Sequence, residues 1–151
     1  MVKKTKNVQY FEAVGRRKEA VAQVRLYLPG KEKKVIVGGK EIKTGEFMVN
    51  GKPISTFFAS DADRERYLSP LRIAKSEDRF AVSIKVTGGG KSGQLGAVIM
   101  GIARALVIVD AGANKSTLKK QGFLRRDART RQRRKVGMGG KSRRKKQSPK
   151  R

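Results

Sequence analysis

Residues 79–110 constrain the fold more than any other stretch, because the spacing of apolar side chains changes there from one period to another. Phe80, Val82, Ile84 and Val86 alternate with Ala81, Ser83, Lys85 and Thr87, which predicts a strand with one buried face. Gly88, Gly89 and Gly90 follow, and glycine lets a backbone turn through conformations that side chains forbid. From Gly93 onward Leu95, Val98, Ile99, Ile102, Ala103 and Leu106 recur at three- and four-residue spacing, which predicts a helix packed on a sheet. Arg104 is the only charge on that helix before Asp110, so most of its circumference is expected to be buried.

The rest of the chain supplies partners for this spine. Residues 1–8 read as a short basic lead-in, loose at its tip. Residues 9–14 form a strand, and Gly15, Arg16, Arg17 and Lys18 form a charged turn. Ala20, Ala22, Val24, Leu26 and Leu28 mark one face of a second strand, ended by Pro29 and Gly30. Gly38 and Gly39 sit between residues 34–37 and 40–43 as the turn of a small hairpin. Residues 47–49 read as a short strand closed by Asn50 and Gly51, and residues 53–59 as the start of a helix. Ser60 with Asp63 predicts a capped helix through Tyr67. Ser69 with Pro70 predicts a second start, for residues 71–75. A last short helix is expected over 114–121.

Charge then decides the class of partner. The 151 residues hold 38 Lys and Arg against 12 Asp and Glu, a formal net charge of +26. Such a charge repels itself in a compact state and calls for a polyanion. Residues 115–151 hold 17 of the bases and one acid, Asp127, so the chain divides into a basic domain and a far more basic tail. With no Cys and no His, the commonest metal ligands and the commonest general base are missing. No catalytic residue, metal site or cofactor is expected. No apolar run is read as long enough to span a membrane, and no secretory signal follows Lys3, Lys4 and Lys6.

Two motifs suggest nucleotides and fail on physical grounds. Gly88, Gly90 and Gly93 fit the dinucleotide fingerprint, with Asp110 about 20 residues on. The first strand of that fold is buried on both faces, whereas Ser83, Lys85 and Thr87 leave one face polar, and only a basic tail follows Asp110. Gly90-Lys91-Ser92 and Gly140-Lys141-Ser142 lack the earlier glycine of a P-loop, since Lys85 and Lys135 stand there. What remains is a helix start able to face a backbone phosphate. Asp61, Asp63 and Glu65 are read as complements to a helix dipole. The rings are too scattered to make a base-stacking platform, so recognition should run through phosphates and shape.

The tail is the strongest signal. Arg125, Arg126, Arg129, Arg131, Arg133, Arg134, Lys135, Lys141, Arg143, Arg144, Lys145 and Lys146 crowd a stretch with too little apolar content to bury a core. Residues 125–151 should be extended, and disordered until they meet a partner. Fully extended, these 27 residues would reach roughly 90 Å, against a domain radius of about 13–14 Å. Gly137, Gly139 and Gly140 add pliancy, and arginine suits forked contacts to phosphate.

Gly15-Arg16-Arg17-Lys18, Val49-Asn50-Gly51-Lys52, Gly88-Gly89-Gly90-x-x-Gly93-Gln94, Gly101-Ile102-Ala103-Arg104-Ala105-Leu106, Leu118-Lys119-Lys120 and Arg126-Asp127-Ala128-Arg129 occur in that order, and Lys150-Arg151 ends the sequence. Over nearly its whole length the chain resembles the family of the ninth protein of the small ribosomal subunit, in its bacterial form. The resemblance implies an α+β domain over 9–122 with a mixed sheet of about four strands and helices packed on it. It would be like the second domain of ribosomal protein five, with a left-handed βαβ crossover, followed by an extended basic tail over 123–151. It implies a place in the head of the subunit, beside neighbouring head proteins and not as a homo-oligomer or at a membrane. Arg16, Arg17, Lys18 and Lys91 would join the tail bases in binding ribosomal RNA. Lys150 and Arg151 would reach the anticodon stem-loop of the peptidyl-site transfer RNA. Two features depart from the family: Pro149 stands where many members have serine, and residues 31–43 read as an insertion. A general nucleic-acid chaperone or DNA-architectural protein is the alternative; it would need only the tail.

Overall fold

The computed structural model describes residues 2–5, 8–30 and 33–136. In chain order the elements are β1 (Val2–Thr5), β2 (Val8–Arg17), β3 (Ala20–Tyr27), β4 (Lys34–Val37), β5 (Lys40–Lys43), β6 (Phe47–Val49), β7 (Lys52–Pro53), α1 (Ile54–Phe57), α2 (Asp61–Ile73), β8 (Ala81–Thr87), α3 (Lys91–Val109) and α4 (Ala111–Lys120). Among the described residues the main sheet has the order β1-β2-β3-β8-β6-β7, and β4 and β5 form a separate two-stranded sheet. All its pairs are antiparallel except β6 with β8, which are joined through β7, α1 and α2. The architecture is the α+β mixed sheet expected, with six strands instead of about four. The additions are short edge strands. Within the lead-in, residues 2–5 form a strand: Val2 pairs with Phe11 and Thr5 with Val8, filling hydrogen bonds that the edge of β2 would otherwise leave open.

The helix α3 lies on β2 and β3, and glycine sets how closely. A Cβ on Gly15 would stand 1.9 Å from the Ala97 carbonyl oxygen and 2.4 Å from the Gly101 nitrogen. One on Gly101 would meet Val24 Cγ2 at 2.6 Å. Gly15 therefore belongs to the strand and not to a turn. β2 continues through Arg17, and the reversal falls on Lys18, with φ of 50°, and Glu19. The core joins Leu95, Val98, Ile102 and Leu106 to Ala20, Ala22, Val24, Leu26, Val82, Ile84 and Val86. At 19 residues α3 is by length and composition apolar enough to cross a membrane, against the expectation that no run is. Ten of its residues are buried, so its apolar content is that of a core helix.

The opposite face of the sheet is not wholly wet. Ala81, placed with the polar set of its strand, is fully buried with Tyr10, Tyr27, Val35 and Ile42 in a second small core beneath the β4–β5 hairpin. The hairpin turn has φ of 58° at Gly38 and 77° at Gly39, the conformation that two central glycines favour. Asn50 prolongs the parallel pair with its side chain, accepting from the Val86 N–H at 2.9 Å and donating to the Val86 carbonyl at 3.0 Å.

Where two helix starts were expected at 60 and 69, one helix runs through, with Pro70 inside it. Proline has no N–H to give the Arg66 carbonyl four residues back. The Ser69 hydroxyl donates to that carbonyl instead, at 3.0 Å. Ser60 occupies the N-cap as expected, but its hydroxyl makes no capping bond. Ser69→Ala should lower stability by about 1 kcal/mol in urea unfolding. In a Pro70→Ala background, where the backbone N–H returns, the same change should cost much less.

Candidate nucleic-acid interface

Three distant segments meet at the β2–β3 turn. The glycine hinge ending β8 has φ of 71° at Gly88 and 61° at Gly89. It packs so tightly on the turn that a Cβ on Gly88 would lie 2.5 Å from the Glu19 carbonyl. Gln94 braces the hinge from the first turn of α3, its side-chain amide donating to the Gly88 carbonyl at 3.1 Å. That is a structural reason for the glycine-glutamine segment. The result sets Lys91, first residue of α3, beside the turn that carries Arg16, Arg17 and Lys18. Arg16, Lys18 and Lys91 are exposed, and none is ion-paired among the described residues.

The third segment is the root of the tail. Phe123 and Leu124 pack partly against the main core, so the packed part runs to Leu124 and not only to residue 122. From Arg126 to Lys135 there is neither helix nor strand. The root is nevertheless tied to the domain. Arg17 lies across Gly96, where a Cβ would stand 2.2 Å from its Cδ, and its Nη2 donates to Asp127 Oδ2 at 3.0 Å. Asp127 also accepts from the Arg129 side chain at 2.9 and 2.8 Å and from the Arg129 N–H at 3.1 Å. The sole acid of the tail thus fixes where the tail departs. Beside it lies a groove of about 440 Å³ lined by Arg16, Arg17, Arg66 and Arg125, with Ile99 and Phe123 among its apolar walls.

Arg16, Arg17, Lys18, Lys91, Arg125 and, through Asp127, Arg129 are therefore gathered in one place. Arg126, Arg131, Arg133, Arg134 and Lys135 continue along the exposed coil. Lys141, Arg143, Arg144, Lys145, Lys146, Lys150 and Arg151 lie outside the described residues, as do Gly137, Gly139, Gly140 and Pro149. Arg66, absent from the expected set, reaches the groove from α2, whereas Arg104 ties α3 to β2 by donating to the Val14 carbonyl at 2.9 Å. Arg66 and Ser69, three apart on one helix stripe, carry the only local signal for the first. Asp110, the fingerprint acid, is the N-cap of α4, accepting from the Ala113 N–H at 3.1 Å. No ribose-binding role remains for it: β8 has an antiparallel neighbour in β3, and α3 leads into a helix and not a strand.

The Arg129 side chain first, then its backbone N–H, with Arg17 adding less, holds the Asp127 carboxyl far below the usual carboxylate range. A carboxyl depressed by folding contributes fully above its unfolded value, about 3.9, and the contribution is lost as pH falls through the lowered folded value. The tie should therefore be as complete at pH 4 as at pH 7. Asp127→Asn should bring backbone order parameters over 127–130 below about 0.6 at both pH values, while the parent chain stays ordered at both. Loosening of the parent between pH 5 and 4 would mean that Asp127 titrates as an ordinary carboxylate.

A family model described as ribosomal protein S9/S16 matches residues 15–151. The small ribosomal subunit protein uS9 of Bifidobacterium animalis subsp. lactis is 44% identical over 124 residues, which cover 82% of this chain and 68% of that protein. The uS9 of Renibacterium salmoninarum is 40% identical over 126 residues, 83% of this chain and 67% of its own.

Proposed function

The chain belongs to the ribosomal protein S9/S16 family, and on that premise we propose that it binds the ribosomal RNA of the small-subunit head through the basic cluster at the β2–β3 turn and the tail rooted beside it. Membership of the family makes the chain a structural protein of the small ribosomal subunit in the cytoplasm, and not an enzyme. Bases from residues 16–18, 91 and 125–129 converge and outnumber the two acids there, Glu19 of the turn and Asp127, the latter consumed in holding two of those bases in place. That convergence is what carries the proposal. A chaperone working through its tail alone has no need of that convergence.

The globular part sets register on folded RNA, and the tail follows its phosphates, with Arg126, Arg131, Arg133, Arg134 and Lys135 next in line. Lys150 and Arg151 complete the reach, to the anticodon stem-loop of the peptidyl-site transfer RNA. Neighbouring head proteins share the site. Filter binding of the full chain to a head-domain RNA should give a log–log salt slope of about −0.7 to −0.9 per phosphate neutralised. Duplex DNA of equal length should bind more weakly at every salt concentration. Equal binding to both would favour the chaperone reading. Deleting Lys150 and Arg151 should weaken peptidyl-site transfer RNA binding about tenfold, the worth of one charged hydrogen bond, and leave subunit assembly intact. Unchanged transfer RNA affinity would remove that role from the tail end.

A further inference from the structure

A second groove, where the β4–β5 hairpin meets β6, α1 and the start of α2, has a chemistry that phosphate binding does not require. It holds about 530 Å³ over a floor of Met48, Ile54, Phe58 and Tyr67. Its rim carries the carboxylates of Glu41, Glu46 and Asp61, with Arg64 the one base among the lining residues. A quarter of the 12 acids in a chain of net charge +26 thus border one apolar groove. All three residues are exposed. Among the described residues Asp61 has no ion pair, and the Glu46 carboxylate accepts only the Lys43 backbone N–H, at 2.9 Å. Glu41 stands 3.6 Å from Lys34 in a pair whose side chains are 50% or more exposed. Helical spacing separates this groove from the basic one. Asp61, Arg64 and Tyr67 share one stripe of α2, and Arg66 and Ser69 another.

Carboxylates at the rim repel phosphate and attract ammonium and guanidinium, while the apolar floor rewards side chains that RNA does not have. Proteins that settle on the same RNA are basic for the same electrostatic reason as this one. We propose that the groove docks a lysine- or arginine-rich segment of a neighbouring small-subunit protein, its apolar side chains on the floor and its cations on the rim. Glu41 and Ile42 come from the hairpin within residues 31–43, so the segment longer than the family pattern acquires a role. The proposal rests on the ribosomal reading above.

The test is a photo-crosslinking residue in place of exposed Ser55, at the groove, in the full chain assembled into small subunits. Crosslinked peptides are then identified by mass spectrometry. The expected product joins position 55 to a Lys- or Arg-rich segment of another subunit protein. Neutralising the rim with E41Q/D61N should cut its yield about fivefold at unchanged subunit occupancy, as two exposed ion pairs would. A crosslink to ribosomal RNA, to residues 137–151 of the same chain or to a second copy would overturn the proposal. So would no crosslink, or a yield indifferent to E41Q/D61N. A chain that does not enter subunits at all would sink the ribosomal reading and this proposal with it, a failure distinct from entering and crosslinking elsewhere.

Discussion

Ending the chain at Leu124 lowers its affinity for head-domain ribosomal RNA by about a thousandfold or more, and flattens the salt dependence of what binding remains. The deleted 27 residues hold 14 Lys and Arg and one acid. Each base that neutralises a phosphate releases condensed counterions, so the full chain has a steep slope and the shortened one a shallow slope from Arg16, Arg17, Lys18, Lys91 and Arg66. Thermal unfolding should change little, because Phe123 and Leu124 remain and residues 128–136 are exposed. The pairing of a large binding loss with a small stability change is the informative result. An unchanged slope would show that the tail contributes no phosphate contacts.

Gly15→Val should destabilise the domain by about 3 kcal/mol, read from urea or thermal unfolding. The added carbon meets backbone, at 1.9 Å from the Ala97 oxygen and 2.4 Å from the Gly101 nitrogen, and backbone in a helix cannot swing aside as a side chain can. The only relief is to lift α3 from β2, which opens the contact on which the core is built. Gly30→Ala is the control, for nothing lies within 4 Å of a Cβ there, and it should be close to neutral. If both changes cost the same, packing would not be the reason for glycine at position 15.

These two residues also show which parts of the fold local spacing reveals. The alternation in β3 and β8 and the stripe on α3 are patterns of a single element meeting a single core, and they are read directly from the chain. So is the hairpin turn, because Gly38 and Gly39 need only their own backbone conformation. Gly15 is different. Its glycine serves a contact with Ala97 and Gly101, more than 80 residues away, and locally it looks like a turn. Ser69 and Pro70 have the composition of a helix start, yet the hydroxyl repairs the bond that the proline omits, so the helix continues. Ala81 looks solvent-facing until the hairpin covers it.

The candidate interface divides in the same way. Its bases were legible as charge, because a run of Lys and Arg needs no tertiary information to be recognised. Their gathering was not. The pairing of Arg17 with Asp127 spans 110 positions, and Arg66 enters from α2, a helix far from both in sequence. The acidic groove was equally hidden: Glu41, Glu46 and Asp61 are scattered along the chain and meet only through β6 and α1.

The β2–β3 turn and the root of the tail should rest on the same stretch of ribosomal RNA. The chain has no cysteine, so Lys18→Cys and Ala128→Cys each offer a single attachment point for a tethered iron chelate. In assembled small subunits, hydroxyl radicals from the two positions should cut overlapping nucleotides, and a tether at exposed Ile36 on the hairpin should cut others or none. Cleavage at separate sites from positions 18 and 128, or none from position 18, would show that turn and tail do not share one footing on the RNA.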